Sequence, residues 1–248
     1  MSPEQHNWSP IDHGAIRESD GAFPFATDTE GNTVLWSPEI SSHIHLIGPP
    51  GSGKTATKQV LTYNALTQGW TVYIIATALE KTNYTFAKGY AQEVATDQHH
   101  ALEVLQQVVK IMERRQHLMT EHQVQRCNDL REASDRHQVL LVIDEVTALY
   151  DSDIGNQATQ LSQRIAAEGR ACSIFMACSS QRCSSGTRRQ HPVSMKDRGS
   201  AHIDFWNCDR NTPGQGIWQD VRGEHATEIH VWHQPDQHQT LANHLCEK

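Results

Sequence analysis

The chain has 248 residues and a formal charge of −8, with charged residues making up 20% of it. That is length enough for one large α/β domain, or one with a short appendage, and no general affinity for nucleic acid follows from the acidic balance, so any polyanion contact must come from local basic segments. No apolar run is long enough to span a bilayer and the start M-S-P-E-Q-H carries no signal-peptide pattern, which sets the expectation of a cytoplasmic protein without a membrane anchor of its own.

Residues 1–24 are polar, contain Pro3, Pro10 and Pro24 and show no period; they are expected to form a flexible or loosely draped arm, leaving 25–248 as the folded unit. A turn at Glu30-Gly31-Asn32 precedes a strand at 33–36, and a second strand is predicted at 43–47. A helix follows from about Lys54 to Thr67, ended by Gly69. Thr71 to Ala76 is β-branched and aromatic, hence a buried strand. Residues 77–96 read as irregular. From about 99 to 122, Ala101, Val104, Leu105, Val108 and Met112 keep helical spacing, and a shorter helix is expected to about Arg136. The continuous apolar run V-L-L-V-I at 139–143 fits a central parallel strand covered on both faces. A helix at 155–168, a strand at 172–177, a polar loop to 200 and strands at 201–206, 216–218 and 228–232 complete the reading. Strand and helix alternate through most of the chain, so the expected fold class is α/β, a mostly parallel sheet with helices on both faces.

Between the strand at 43–47 and the helix at 54 stands G-P-P-G-S-G-K-T, the phosphate-loop (Walker A) pattern made of Gly48, Pro49, Pro50, Gly51, Ser52, Gly53, Lys54 and Thr55, with Ala56 following. Glycines let the backbone curl its N–H groups inward toward phosphate oxygens. Lys54 is placed for the β/γ-phosphates, Thr55 for Mg²⁺, and the helix N-terminus adds its dipole. The implied ligands are ATP and Mg²⁺. Asp144-Glu145, directly after the apolar run, has the Walker B arrangement: Asp144 for the metal, Glu145 as general base on the attacking water. The alternative is an acidic pair capping the next helix. Gln181, beyond the strand at 172–177, is a candidate γ-phosphate sensor, against the reading of a loop glutamine with no task.

Arg182, Arg188, Arg189, Lys196 and Arg198 crowd one segment with the single acid Asp197. Set among Ser and Gly, they suit phosphate-backbone contact without base reading; a solvated basic loop is the alternative. The six cysteines include no C-x-x-C pair and are expected to be reduced thiols. The sixteen histidines match no zinc spacing and are expected at the surface.

Four segments in this order resemble the motor domain of FtsK/SpoIIIE-type DNA translocases. They are G-N-T-V-L-W-S-P-E-I-S-S-H-I-H-L-I-G, the helix ending K-I-M-E-R-R-Q-H-L-M, V-L-L-V-I-D-E-V-T-A-L, and E-G-R-A-C-S-I-F-M-A-C-S-S-Q-R. Met112-Glu113-Arg114-Arg115 and Gly169-Arg170-Ala171 are the more specific strings, and the resemblance covers about residues 25 to 220. It implies a single RecA-like domain that forms a homo-hexameric ring and pumps double-stranded DNA by ATP hydrolysis at subunit boundaries. By the same resemblance, the loop after Gln181 and the segment holding Arg126 and Arg131 face DNA, and Arg170 or Arg210 completes a neighbour's site.

The chain departs from the family at Ile75 to Ala78, I-A-T-A in place of I-D-P-K, at Cys183 in place of proline, and at His202 in place of arginine. It has no room for the membrane segments or the winged helix of the cell-division members, so a separate membrane or recruitment partner is implied. It looks like a minimal motor of the kind used in plasmid transfer (conjugation), segregation or phage DNA handling. Two alternatives stand beside DNA movement: a related ATPase that moves protein cargo in secretion, and a nucleotide-binding ring subunit with a structural role.

Overall fold

The apolar runs at 71–76 and 139–143 become neighbouring parallel strands in the middle of one sheet. The computed structural model describes residues 9–76, 81–132, 135–181, 200–205, 213–221 and 226–233. The sheet is ordered β3-β2-β11-β10-β9-β4-β8-β7-β5-β6, with β1 paired to β11. Its strands are β1 (Ser9–Pro10), β2 (Phe23–Asp28), β3 (Thr33–Trp36), β4 (His43–Ile47), β5 (Thr71–Ala76), β6 (Glu93–Ala95), β7 (Val139–Asp144), β8 (Ile174–Ser180), β9 (Ser200–Asp204), β10 (Gln215–Gln219) and β11 (Thr227–His233). From β9 through β4, β8, β7 and β5 to β6 every pairing is parallel. From β9 outward through β10, β11, β2 and β3 the pairings are antiparallel.

Successive residues of the central strands point to opposite faces, and each face has its own core. Val72, Ile74, Leu140, Val142, Phe175 and Ala177 pack on one side with α2 (Lys54–Thr67) and α1 (His13–Glu18). Tyr73, Ile75, Leu141, Ile143, Met176 and Cys178 pack on the other with α3 (Gln98–Glu121), α4 (Val146–Tyr150) and α5 (Gly155–Glu168). The expected α/β class, with a large, mostly parallel sheet covered on both faces, is what the structure has.

The M-E-R-R string of α3 has a packing reason at each position. Met112 is fully buried. Glu113 pairs with Arg164 of α5 at 2.6 Å, and Arg114 with Asp135 at 2.7 Å. Arg115 is buried and donates through Nη1 to the carbonyl of Cys172 at 2.7 Å. The string docks the helix to its neighbours.

Several elements differ from the expectations. Of residues 1–24, the described stretch carries α1, capped by Asp12 through bonds to the N–H groups of Gly14 and Ala15, and places Ile11, Ile16 and Phe23 in the core. Three apolar side chains outweigh a polar average here. The strand expected from 172 begins at Ile174, because Gly169–Cys172 forms a 3₁₀ turn, and it runs on to Ser180. Ser179 and Ser180 extend it since their hydroxyls find buried partners. Between 122 and 132, in the stretch of the expected shorter helix, the structure has a 3₁₀ turn at Cys127–Asp129. β6 and α4, of three and five residues, are too short to leave a period.

Two histidines expected at the surface are core residues: His43 and His45 are 3% and 4% exposed. His43 Nδ1 accepts from the Met176 N–H at 3.1 Å, and its Nε2 therefore carries the proton and donates to the Ala166 carbonyl at 3.1 Å. Burial pushes its pKa down to about 4. Cys127, Cys172 and Cys178 are buried free thiols, and burial raises Cys172 to about 11 and Cys178 to about 12. No helix among the described residues is long and apolar enough to cross a membrane.

Candidate functional site

Parallel pairing aligns the C-terminal ends of three strands. β8 lies between β4 and β7, with Ile47 opposite Ser180 and Ile143 opposite Cys178. The phosphate loop leaves β4 at one side of this edge, and Asp144-Glu145 leaves β7 at the other.

The loop is held from several directions. The Gly48 N–H donates to the Ser180 carbonyl at 3.2 Å, and the Gly214 N–H donates to the Ser52 carbonyl at 2.9 Å. A Cβ on Gly48 would lie 2.7 Å from Phe205 Cβ and 2.8 Å from Ser52 Oγ. Gly53 has φ +117°, and a Cβ there would lie 2.9 Å from Gly214 Cα. These two positions therefore demand glycine, one by space and one by both space and backbone angle. Lys54, at the start of α2, is buried and folds back to donate to the carbonyls of Gly48 at 2.7 Å and Pro49 at 2.8 Å. Its ammonium thus sits across the loop.

On the other side, Asp144 ends β7 at 2% exposure. Its Oδ1 makes an ion pair with Lys58, which is fully buried. Ser179 of β8 joins them: its hydroxyl accepts from Lys58 Nζ at 2.5 Å and lies 3.5 Å from Asp144 Oδ1. The Glu145 N–H reaches the same hydroxyl at 3.4 Å. Glu145 adopts φ 66°, ψ 78°, a left-handed conformation unfavourable for a residue with a side chain. Strain of this kind concentrates at functional sites. Three buried oxygens of the site have no hydrogen-bond partner among the described residues: Ser52 Oγ, Asp144 Oδ2 and Glu145 Oε1.

These orphaned oxygens bear on whether the residues fit a metal nucleotide. A carboxylate oxygen without a donor costs free energy unless a cation or water reaches it. Asp144 Oδ2 and the Thr55 hydroxyl at the first turn of α2 are hard oxygen donors of the kind Mg²⁺ takes alongside phosphate and water. The donor set fits.

The expected site residues fall into three groups. Gly48 to Ala56, Asp144 and Glu145 come together at one edge of the sheet. Gln181 follows β8 at the same edge and is exposed. Arg170 and Arg126 lie elsewhere. Arg170 belongs to the turn before β8, hence to the opposite end of the sheet, where it donates to the Glu39 carbonyl at 2.7 Å. There it shares with Arg126, Asn128 and Ser173 a pocket of about 230 Å³. Arg182, Arg188, Arg189, Lys196, Arg198 and Arg210 lie outside the described residues.

Sequence reasoning missed Lys58 and Ser179. One signal was available for Lys58: it stands four residues after Lys54, so both fall on one side of the helix, one turn apart. Ser179 carried no signal because the strand was expected to end at 177, which put this serine in a polar loop, whereas β8 runs on through it to Ser180.

The profile of the FtsK/SpoIIIE family matches residues 13–138. Among curated proteins, the DNA translocase FtsK of Helicobacter pylori (strain J99 / ATCC 700824) is 29% identical over 166 residues, covering 62% of this chain and 20% of that protein. The chain thus spans about a fifth of that relative's length. Among solved structures, the pCW3 conjugation coupling protein TcpA, in its monomer form with ATPγS, superposes with a TM-score of 0.81 at 18% identity, over 97% of this chain and 74% of that one. EssC (ATPases 2 and 3) from Geobacillus thermodenitrificans gives 0.69 at 14% identity, over 92% and 48%. The cytoplasmic domain of the type VII secretion ATPase EccC of Thermomonospora curvata gives 0.67 at 15%, over 91% and 30%. At these identities the structural likeness shows the fold.

Proposed function

Because the chain belongs to the FtsK/SpoIIIE family, we propose that it is an ATPase that converts hydrolysis into movement of double-stranded DNA. The observation that carries the ATPase reading is the meeting of the phosphate loop and Asp144-Glu145 on either side of β8. The DNA reading is supported by the likeness to a DNA translocase and by the basic residues between 182 and 198.

Lys54 leaves the Gly48 and Pro49 carbonyls for the β/γ-phosphate oxygens, exchanging neutral acceptors for charged ones. Thr55 and Asp144 are the residues that would hold Mg²⁺, which when bound offsets charge on the β/γ-phosphates. Glu145 takes a proton from water as that oxygen bonds to the γ-phosphorus and the bond to the β-phosphate oxygen breaks. Gln181 is the proposed sensor of the γ-phosphate. Arg170, remote from its own loop, is assigned to the site of a neighbouring chain in a ring, with Arg210 as the other candidate. Arg126 and the basic residues at 182, 188, 189, 196 and 198 are assigned to the DNA path.

The test is hydrolysis with and without linear duplex DNA at low salt. Stimulation by duplex supports the reading. Full hydrolysis that ignores duplex points to another cargo, such as protein. Background rates shared by wild type and Glu145→Gln point to a structural ring subunit.

A further inference from the structure

Lys58 is fully buried. Lysine is almost never found there without a partner, since an ammonium loses its hydration on burial. Its partner is Asp144, itself 2% exposed, and the pair is completed by the Ser179 hydroxyl. The cation and the carboxylate come from different elements, α2 and β7, and Ser179 comes from β8 between β4 and β7. Asp144 is the residue assigned to magnesium, so a positive charge already stands at one of its two oxygens while the other, Oδ2, has no hydrogen-bond partner among the described residues.

We propose that Lys58 is a positioning residue that acts through Asp144: it holds Oδ1, leaves Oδ2 as the oxygen offered to the metal, and sets the magnesium concentration at which metal nucleotide is retained. This rests on the nucleotide-site reading. A carboxylate whose charge is already balanced by a contacting ammonium attracts a second cation more weakly than a bare one, and in a buried site that opposition is poorly screened. The fully buried pair therefore raises the magnesium requirement above that of an unpaired aspartate. Ser179 extends the arrangement to the general base, because the hydroxyl that receives Lys58 also receives the Glu145 N–H.

The experiment measures binding of a fluorescent, non-hydrolysable ATP analogue over a range of free Mg²⁺, in wild type and Lys58→Met. The inference expects half-saturating Mg²⁺ to fall about tenfold or more in the variant. An unchanged or raised requirement overturns it. Loss of one partner of a buried pair is strongly destabilising, so a second readout is the rise in Tm on adding Mg²⁺ to protein and analogue. This rise should be larger in the variant, where the metal supplies the missing charge, and an equal or smaller rise overturns the inference. Lys58→Gln, which keeps a donor for Asp144 and loses only the charge, takes the same two measurements if Lys58→Met does not fold. Failure of both to fold with or without magnesium also overturns it, leaving a purely structural pair. If wild type binds no analogue at any magnesium concentration, the nucleotide reading itself fails.

Discussion

Arg115 of α3 donates to the carbonyl of Cys172, in the turn that opens β8. The bond joins two strings that stand apart in the sequence, M-E-R-R and G-R-A-C, and so ties the long helix to the strand that runs up to the nucleotide edge. Burial depresses the Arg115 pKa, with the nearby Cys127 and Cys172 pulling it back up. Arg115→Met keeps an apolar stem but leaves the carbonyls of Cys172 and His137, the acceptors of Nη1 and Nη2, without their donor, at about 1–3 kcal/mol for each group left unsatisfied. Chemical denaturation should show a loss of about 2–4 kcal/mol; a loss under about 0.5 kcal/mol would show that water replaces the guanidinium at no cost.

Lys54→Ala and Glu145→Gln should separate binding from chemistry. The lysine variant loses the charge assigned to the β/γ-phosphates and should bind ATP weakly and hydrolyse none. The glutamine variant keeps the shape of the site and should bind ATP normally while turnover drops about 100-fold or more. Calorimetric binding beside a phosphate-release assay reads both; wild-type turnover in Glu145→Gln would remove the base assignment.

Gly53→Ala places a methyl 2.9 Å from Gly214 Cα on a backbone at φ +117°. A non-glycine residue at such an angle costs about 1–3 kcal/mol, and the clash with backbone adds to it. A lower Tm together with loss of nucleotide binding is expected, since the same strain pushes the loop from its cradle against Gly214. Retention of both would mean that the loop relaxes freely.

His43 makes stability depend on pH. In the unfolded chain its imidazole takes up a proton near pH 6.5, whereas in the core it stays neutral until about pH 4. The unfolded state therefore binds more protons in this window, and stability falls as pH drops from about 6.5 toward 4, by as much as about 3 kcal/mol. Denaturation curves at successive pH values should show this fall in wild type and a flatter one in His43→Gln. Parallel slopes would place the acid sensitivity elsewhere.

Neutralising Arg188 and Arg189 should leave basal hydrolysis in place and weaken its stimulation by duplex DNA. Each DNA phosphate deprived of its cationic partner lowers the slope of log affinity against log salt by about 0.9. An unchanged slope would put this segment outside the DNA path.

The phosphate loop and the sheet's central strands were legible because their signals are local: a fixed string of glycines and a lysine, and unbroken apolar runs at 71–76 and 139–143. The position of Asp144 and Glu145 at the C-terminal end of a central strand was legible from their place after the second run. Lys58 was not, since a lysine on a helix reads as solvated until the opposing carboxylate, more than eighty positions on, is brought to it. His43 and His45 were misjudged for a related reason. Their burial depends on the Met176 N–H, the Ala166 carbonyl and the Ser180 hydroxyl, all supplied by distant parts of the chain. The expectation for residues 1–24 rests on average polarity, whereas in the described part, 9–24, Ile11, Ile16 and Phe23 are core residues.

Arg170 stands before the first residue of β8, and the phosphate loop bonds to the carbonyl of its last. Seven residues of strand separate them by roughly 23 Å at about 3.3 Å each, so a chain cannot bring its own Arg170 to its own loop. If Arg170 serves an adjoining chain, as proposed, damage and symptom part company: Arg170→Ala silences a neighbour, and Glu145→Gln silences itself. Two such inactive preparations, mixed and allowed to exchange chains, would then create some boundaries with an intact loop on one side and an intact arginine on the other, and turnover would reappear from two dead proteins.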